Sequence, residues 1–529
     1  MEDCHFYQLI GTILIIYFII ENSSHLQSTL STANYMISQG KFEVLTYRKD
    51  SYRFGININL CLLKGLLVTL FVLWTFLSAH AEAPVSDTPI LLAVAPVSDQ
   101  PEIDAPNADE GETEQWSIHG QSTYIVQQKN NFNSPYYGQN SLLNKSEGGG
   151  GKSYTFSATA FLGARLWEGA EVYWNPEMFE GTPFNGQLVG LGGFQNGELQ
   201  KGSYAPPIYY TARAFIRQTF GLGGGKEHIE GAPNQLAGNV DKNRLVVSYG
   251  KFATLDFFDQ NSYSHDPRTQ FQNFAIFSMG AYSYAADSKG YTYGVVAEWY
   301  QEDWILKMAR LAMPTIPNTA QLDYSLTQDY GNQIELTHEH ELWGKAGAVR
   351  ALYYQQHAFM GNYQSAVDIA QQTNSTPDIT NTRLAAQSSW GYGLNFEQSI
   401  SEDIGVFGRW SWNPGNSETQ TVDISRSLSG GVSIKGASWS RPNDCVGLGF
   451  AVNGIAPIQR TYLQLGGMSP FIGDGNLSYK TEQILETFYS AKVYKELYIS
   501  ADYQRIANPA YNSARGPVNF FGLRAHIEM

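Results

Sequence analysis

From Trp116 to the C-terminus the chain has no apolar run long enough to cross a bilayer as a helix, yet apolar and polar side chains alternate along it again and again. Hydrocarbon offers no partner to a free peptide group, so a membrane chain without such helices must close its strands into a barrel. Alternation with a period of two sends one row of side chains to each face of a strand. In a barrel those faces meet lipid and water.

Thr155 to Trp167 carries the pattern. Phe156, Ala158, Ala160, Leu162, Ala164 and Leu166 fall on one face; Thr155, Ser157, Thr159, Gly163 and Arg165 fall on the other, with Phe161 the exception. Tyr291, Tyr293, Val295, Ala297 and Trp299 alternate with Thr292, Gly294 and Glu298. Ile404, Val406, Trp410 and Trp412 alternate with Asp403, Gly405, Arg409, Ser411 and Asn413. Val446 to Asn453 and Leu497 to Gln504 repeat the rhythm, and Ala212–Phe220 follows it less cleanly. Breaks rich in Gly, Asn, Pro and Asp separate these runs.

A half-buried soluble sheet also alternates. Two details favour the membrane. Trp299, Trp410, Trp412 and Tyr503 stand near the ends of apolar faces, as interfacial girdles do. The chain also ends in a strand, with Phe521, Leu523, Ala525, Ile527 and Met529 opposite Gly522, Arg524, His526 and Glu528. Its last residue is Met529, where outer-membrane barrels usually carry an aromatic. Setting aside the first 115 of 529 residues leaves 414. At roughly 25 residues per strand and loop, that allows sixteen to eighteen strands, enough to enclose an aqueous channel. Composition agrees: 14% aromatic residues and 51 glycines accompany only 16% charged residues, against about 25% in soluble proteins.

Residues 1–81 read as a leader. Lys64 precedes an apolar run to Ser78, and Ala79-His80-Ala81 offers a signal-peptidase site. The run is shorter than a membrane span. Eighty residues is long for a leader, so initiation at a later methionine, Met36 being one candidate, is expected. Residues 82–115 form an acidic, Pro/Ala-rich stretch without Lys or Arg, expected to be a disordered linker. Residues 116–529 are the barrel domain. One cysteine, Cys445, follows the leader, so no internal disulfide is expected. A net charge of −15 argues against a nucleic-acid partner.

Five segments stand out: Phe161 to Glu177, Gly250 to Phe252 with Asp256 to Asn261, His265 to Phe271, Gly473 to Leu477, and Asp502 to Pro509. In their order and spread they resemble the carbohydrate-selective porins of the OprB type. The resemblance implies a sixteen-stranded barrel that passes sugars across the bacterial outer membrane. Some relatives with this central segment are called manganese porins, so a divalent-cation channel stays open as an alternative. A soluble secreted protein that binds or cleaves polysaccharide is a further one.

Polar residues inferred on the wet faces, or near them, are Arg165, Glu171, Tyr173, Arg213, Arg217, Glu298 and Arg409. Planar hydrogen-bonding groups and aromatic faces suit sugars, and fixed charge sets ion preference. Asp256, Asp259, His265, Asp266 and Arg268 lie in a segment expected to follow the strand Arg244–Tyr249 and to fold inward as a constriction. The competing reading is an external loop held by its own Asp–Arg pairing. His338 and His340 would share a strand face as a chelating pair, with oxygen donors such as Glu335. No enzyme is expected: Gly151-Lys152-Ser153 lacks the first glycine of a phosphate loop, and His338-Glu339-His340 lacks the spacing of a zinc protease. No cofactor is expected. The partners are permeating sugars or ions and outer-membrane lipid; homo-oligomers are compatible with the sequence but not specified by it.

Overall fold

The computed structural model describes residues 113–529; the expected leader and nearly all of the linker lie outside them. Sixteen long antiparallel strands form one closed sheet. The first are β1 (Trp116–Lys129), β2 (Lys152–Trp167), β3 (Ala170–Thr182) and β4 (Tyr204–Gly221). A small separate hairpin, β5 (Lys226–Ile229) and β6 (Gly238–Asp241), follows. Then come β7 (Arg244–Ala253), β8 (Tyr291–Gln301), β9 (Trp304–Pro314), the two-residue β10 (Leu322–Asp323), β11 (Tyr330–Leu342) and β12 (Lys345–Phe359). The circuit ends with β13 (Ala386–Ser399), β14 (Ile404–Trp412), β15 (Arg426–Gly436), β16 (Arg441–Gly454), β17 (Glu482–Tyr494), β18 (Leu497–Ala507) and β19 (Val518–Glu528).

The barrel seals between β1 and β19, in register from Gln121 opposite Glu528 to Lys129 opposite Phe520. Gly120 and Met529 exchange both backbone hydrogen bonds at 2.8 Å, so the last residue completes the ladder despite lacking an aromatic ring. No edge remains to be covered.

The alternation sorts as expected. On β13, Trp390, Tyr392, Leu394 and Phe396 point outward and exposed, while Asn395 and Glu397 are buried inside. On β19, Phe521, Leu523 and Ile527 face out and Arg524 and His526 face in. Phe161, out of step on β2, is an inward residue that keeps its period. Tyr291 is a departure: it turns inward at the start of β8, although its parity matches the outward row. The untidy stretch of β4 contains a bulge. Asn175 pairs with Arg213 and Pro176 with Thr211, leaving Ala212 unmatched. One extra residue flips the faces, so Tyr210 and Arg213 both reach the interior.

Connections differ at the two ends. One end has turns at 168–169, 302–303, 343–344 and 495–496; the other has long loops at 130–151, 183–203, 254–290 and 455–481. Short turns mark the periplasmic end of such barrels. Segment 222–243 is the long exception there.

At the outer end, α2 (Tyr363–Thr373) and α3 (Pro457–Gln464) pack with Ile472, Leu477 and Tyr511 into a cap; a shorter turn, α1 (Phe274–Phe277), lies inside the barrel. Loop 413–425 joins the cap through Asp423, which accepts from Ser469 Oγ at 2.7 Å and Phe471 N at 3.2 Å. Burial pushes its carboxyl up to about 6. A folded value above the unfolded one near 3.9 means stability present below about pH 4 and lost as pH rises through about 6. Limited proteolysis should therefore cut the cap faster at pH 7 than at pH 4, and Asp423→Asn should flatten the difference. Equal rates in the wild type at both pH values would count against this.

Candidate functional site

Segment 254–290 does not stay at the outer rim. It crosses the barrel interior and bonds to strands on opposite walls. Asp259, fully buried, accepts from Arg409 Nε on β14 at 2.8 Å, Asn395 Nδ2 on β13 at 2.6 Å and Met279 N at 2.6 Å. Its own amide donates to Glu335 on β11 at 2.8 Å. On the far wall, Arg524 of β19 donates to the carbonyls of Pro267, Thr269 and Gln270 at 2.9, 2.9 and 2.6 Å. Glu486 of β17 accepts from the amides of Gln272 and Asn273.

Apolar packing fills the space between. Phe271 lies 5.3 Å from Phe407 and 5.0 Å from Phe488, both inward residues of the wall. Glycines on the wall admit the segment: a methyl group at Gly405 would overlap the Tyr263 ring, and one at Gly393 would strike Met279.

Beside this packed region runs a cavity of about 700 Å³, lined among others by Arg213, Arg217, Asp256, Arg268, Tyr291 and Glu298. Arg213 grips Asp256 with two hydrogen bonds, Nε–Oδ2 at 2.7 Å and Nη2–Oδ1 at 2.5 Å. The guanidinium lies 5.5 Å from the Tyr291 ring centre. Arg268 contacts Glu177 of β3 at 3.0 Å and Glu198 at 3.2 Å; Lys201 contacts the same two carboxylates at 3.0 and 2.9 Å. Glu177 also accepts from Thr159 at 2.6 Å, Tyr291 at 3.2 Å and Tyr210. This knot ties β2, β3, β4, loop 183–203 and segment 254–290 at one point.

Nearer the periplasmic end, Arg165, Glu171, Tyr173 and Arg217 form a second network. Glu171 contacts Arg165 at 3.2 Å and Arg217 at 3.9 Å, and accepts from Tyr173 Oη at 2.6 Å. Arg217 sits 5.1 Å from the centre of the Tyr173 ring. Glu298 meets Lys307 at 3.5 Å. His265 and Asp266 brace the turn before Arg268: Asp266 Oδ1 accepts from Arg268 N at 2.8 Å, and His265 N donates to Gln270 Oε1 at 2.6 Å.

The comparisons with known proteins agree with this geometry. The model of the carbohydrate-selective porin OprB family matches residues 153–529. The chain belongs to that family. The porin resembles porin AaxA of Chlamydia caviae, 21% identical over 287 residues, covering 54% of this chain and 53% of that one; it thus spans about half the length of this curated relative. The solved OprB of Pseudomonas putida superposes with a TM-score of 0.57 at 16% identity, covering 78% of this chain and 94% of that one. The fold is thus that of an outer-membrane channel, and the protein resides in the bacterial outer membrane. This sets aside a soluble secreted protein, whose exposed Trp390, Leu394 and Phe396 would stand in water. Family and fold are those of channels, not enzymes.

Not every candidate faces the cavity. Tyr173 is buried, stacked on Phe215, with its hydroxyl bonded to Glu171 and to the Leu236 amide. Arg409 points inward but is covered, with Asp259 and the carbonyls of Ile276 and Ser264 around it. His338 and His340 do share a face, but it is the outer one, with Ile334 and Leu336. Trp304 stacks on His338 at 4.6 Å, as expected at a membrane interface. Glu335 has the opposite parity and faces inside, so it cannot join the histidines. Among the described residues no group of three or more His, Cys, Asp or Glu is arranged to hold a metal ion. The strand expected to end at Tyr249 runs on to Ala253. Sequence reasoning missed Glu177, Glu198, Lys201 and Arg524. Glu177 was legible as an inward carboxylate on β3; Glu198 and Lys201 lie in a loop, where no periodicity points inward.

Proposed function

We propose that this porin passes carbohydrates by passive diffusion through the cavity beside segment 254–290, which narrows the channel. Arg213, Arg217, Asp256, Arg268, Tyr291 and Glu298 are its lining, and Arg165 and Glu171 belong to the path nearer the periplasm. The observation that carries the reading is the Arg213–Asp256 pair held against Tyr291 at the cavity wall. A bidentate pair offers planar donors and acceptors to hydroxyl groups, and an adjacent ring offers a face for the apolar side of a pyranose. Charges of both signs are paired here, so neither cations nor anions gain a long one-sided path.

Swelling of proteoliposomes in isotonic solutes tests this directly. Monosaccharides should enter faster than disaccharides, and sugar should lower the conductance of single channels in planar bilayers. Strong cation selectivity with Mn²⁺ permeation and no sugar entry would instead support the divalent-cation alternative.

A further inference from the structure

Segment 222–243 breaks the rule that periplasmic connections are short, and it does not hang below the barrel. Ala232 and Gln235 exchange backbone hydrogen bonds at 2.9 Å around a tight turn with Pro233 and Asn234 at its centre. Asn234 has φ of 62°, and proline followed by a left-handed asparagine suits a type II turn. The tip is fixed to the inner wall. Asn175 Nδ2 donates to Asn234 Oδ1 at 2.9 Å, Arg217 Nη1 donates to Asn234 O at 2.9 Å, and Leu236 N donates to Tyr173 Oη at 3.2 Å. Asn175 lies five residues up β3 from its periplasmic start, so the tip reaches well inside the barrel.

The base is fixed as well. Glu114 N donates to Ala237 O at 3.0 Å, and Glu114 Oε2 accepts from Ala237 N at 2.8 Å. Arg165 donates to the carbonyls of Glu114 and Ala237, both at 3.2 Å. Pro233, Asn234 and Gln235 line the same cavity as Arg213, Asp256 and Arg268. That cavity therefore has an outer wall from segment 254–290 and an inner wall from segment 222–243.

We infer that segment 222–243 is a fixed wedge forming a second, periplasmic constriction, with Asn234 at its tip a specificity-determining residue, so that a permeating sugar passes two filters in series. The inference rests on the uptake reading for its substrate, but not for its effect on conductance. A wedge held at tip and base by six polar contacts narrows the path without gating it. Its backbone carbonyls and the Asn234 amide present neutral hydrogen-bonding groups, which suit an uncharged polyol better than an ion.

Replacing residues 222–243 by a two-residue Asn-Gly turn, matching the length of four other connections at this end, tests the wedge. Single-channel conductance should rise by about twofold, as for removal of one of two comparable resistances in series, and the swelling gap between monosaccharides and disaccharides should shrink. Should that variant fail to assemble, Asn234→Cys in a Cys445→Ser background serves. Labelling with a bulky methanethiosulfonate should then lower conductance. Unchanged conductance in an assembled deletion variant, or in fully labelled Asn234→Cys, overturns the inference. If the wild type admits no sugar, the uptake reading fails, while the conductance results still decide whether the wedge narrows the channel.

Discussion

Asp259→Ala should leave the barrel standing and release segment 254–290 from one wall. Asp259 and Arg409 are both buried, and the carboxylate is the only acidic partner Arg409 has among the described residues. Removing one member of a buried pair typically costs about 3–5 kcal/mol, because the other charge is left without compensation. That loss falls on docking of the segment rather than on the strand ladder, whose hydrogen bonds do not involve Asp259. The variant should keep its heat-modifiable gel migration, while single-channel conductance rises and becomes noisier. Asp259→Ala combined with Arg409→Met should recover much of the docking, since both charges are then gone. A single variant with wild-type conductance and wild-type protection from proteases would show that the pair does not hold the segment.

Glu177→Gln should change which ions pass. Glu177 and Glu198 together balance Lys201 and Arg268, and neutralising Glu177 leaves one positive charge uncompensated at the cavity wall. A unit charge about 7 Å from a permeating ion in a water-filled path is worth about 0.6 kcal/mol. The cation loses and the anion gains that amount, so the cation-to-anion permeability ratio should fall by about sevenfold, read as a shift in reversal potential across a salt gradient. The shift should shrink at high salt, as screening requires. A reversal potential that stays put in an assembled channel would place the knot away from the ion path.

Much of this molecule could be read from its residues, for a plain geometric reason. A strand has a period of two and a barrel has two different solvents, so β2, β14 and β19, and β8 beyond Tyr291, declare their inward residues by parity alone. Arg165, Arg409 and Glu298 were legible in this way. The same parity separates Glu335 from His338 and His340. Arg213 was harder, because the bulge at Ala212 changes the parity of β4 part-way along.

Parity says which way a side chain points, but not what it meets there. Arg409 and Arg213 look alike in sequence. One is sealed under segment 254–290 and the other borders the cavity. Segment 222–243 carries turn formers that suit any exposed hairpin, and its inward path depends on Arg165, Asn175 and Arg217, which three successive strands bring together only once they pair. The order of grease and water along each strand thus sufficed for a barrel, its outer face and its place in the membrane. The paths of the two inward segments, and hence the shape of the channel, follow from long-range hydrogen bonds and ion pairs. Those pairings link residues tens to hundreds of positions apart, such as Arg524 with Thr269, and no local pattern encodes them.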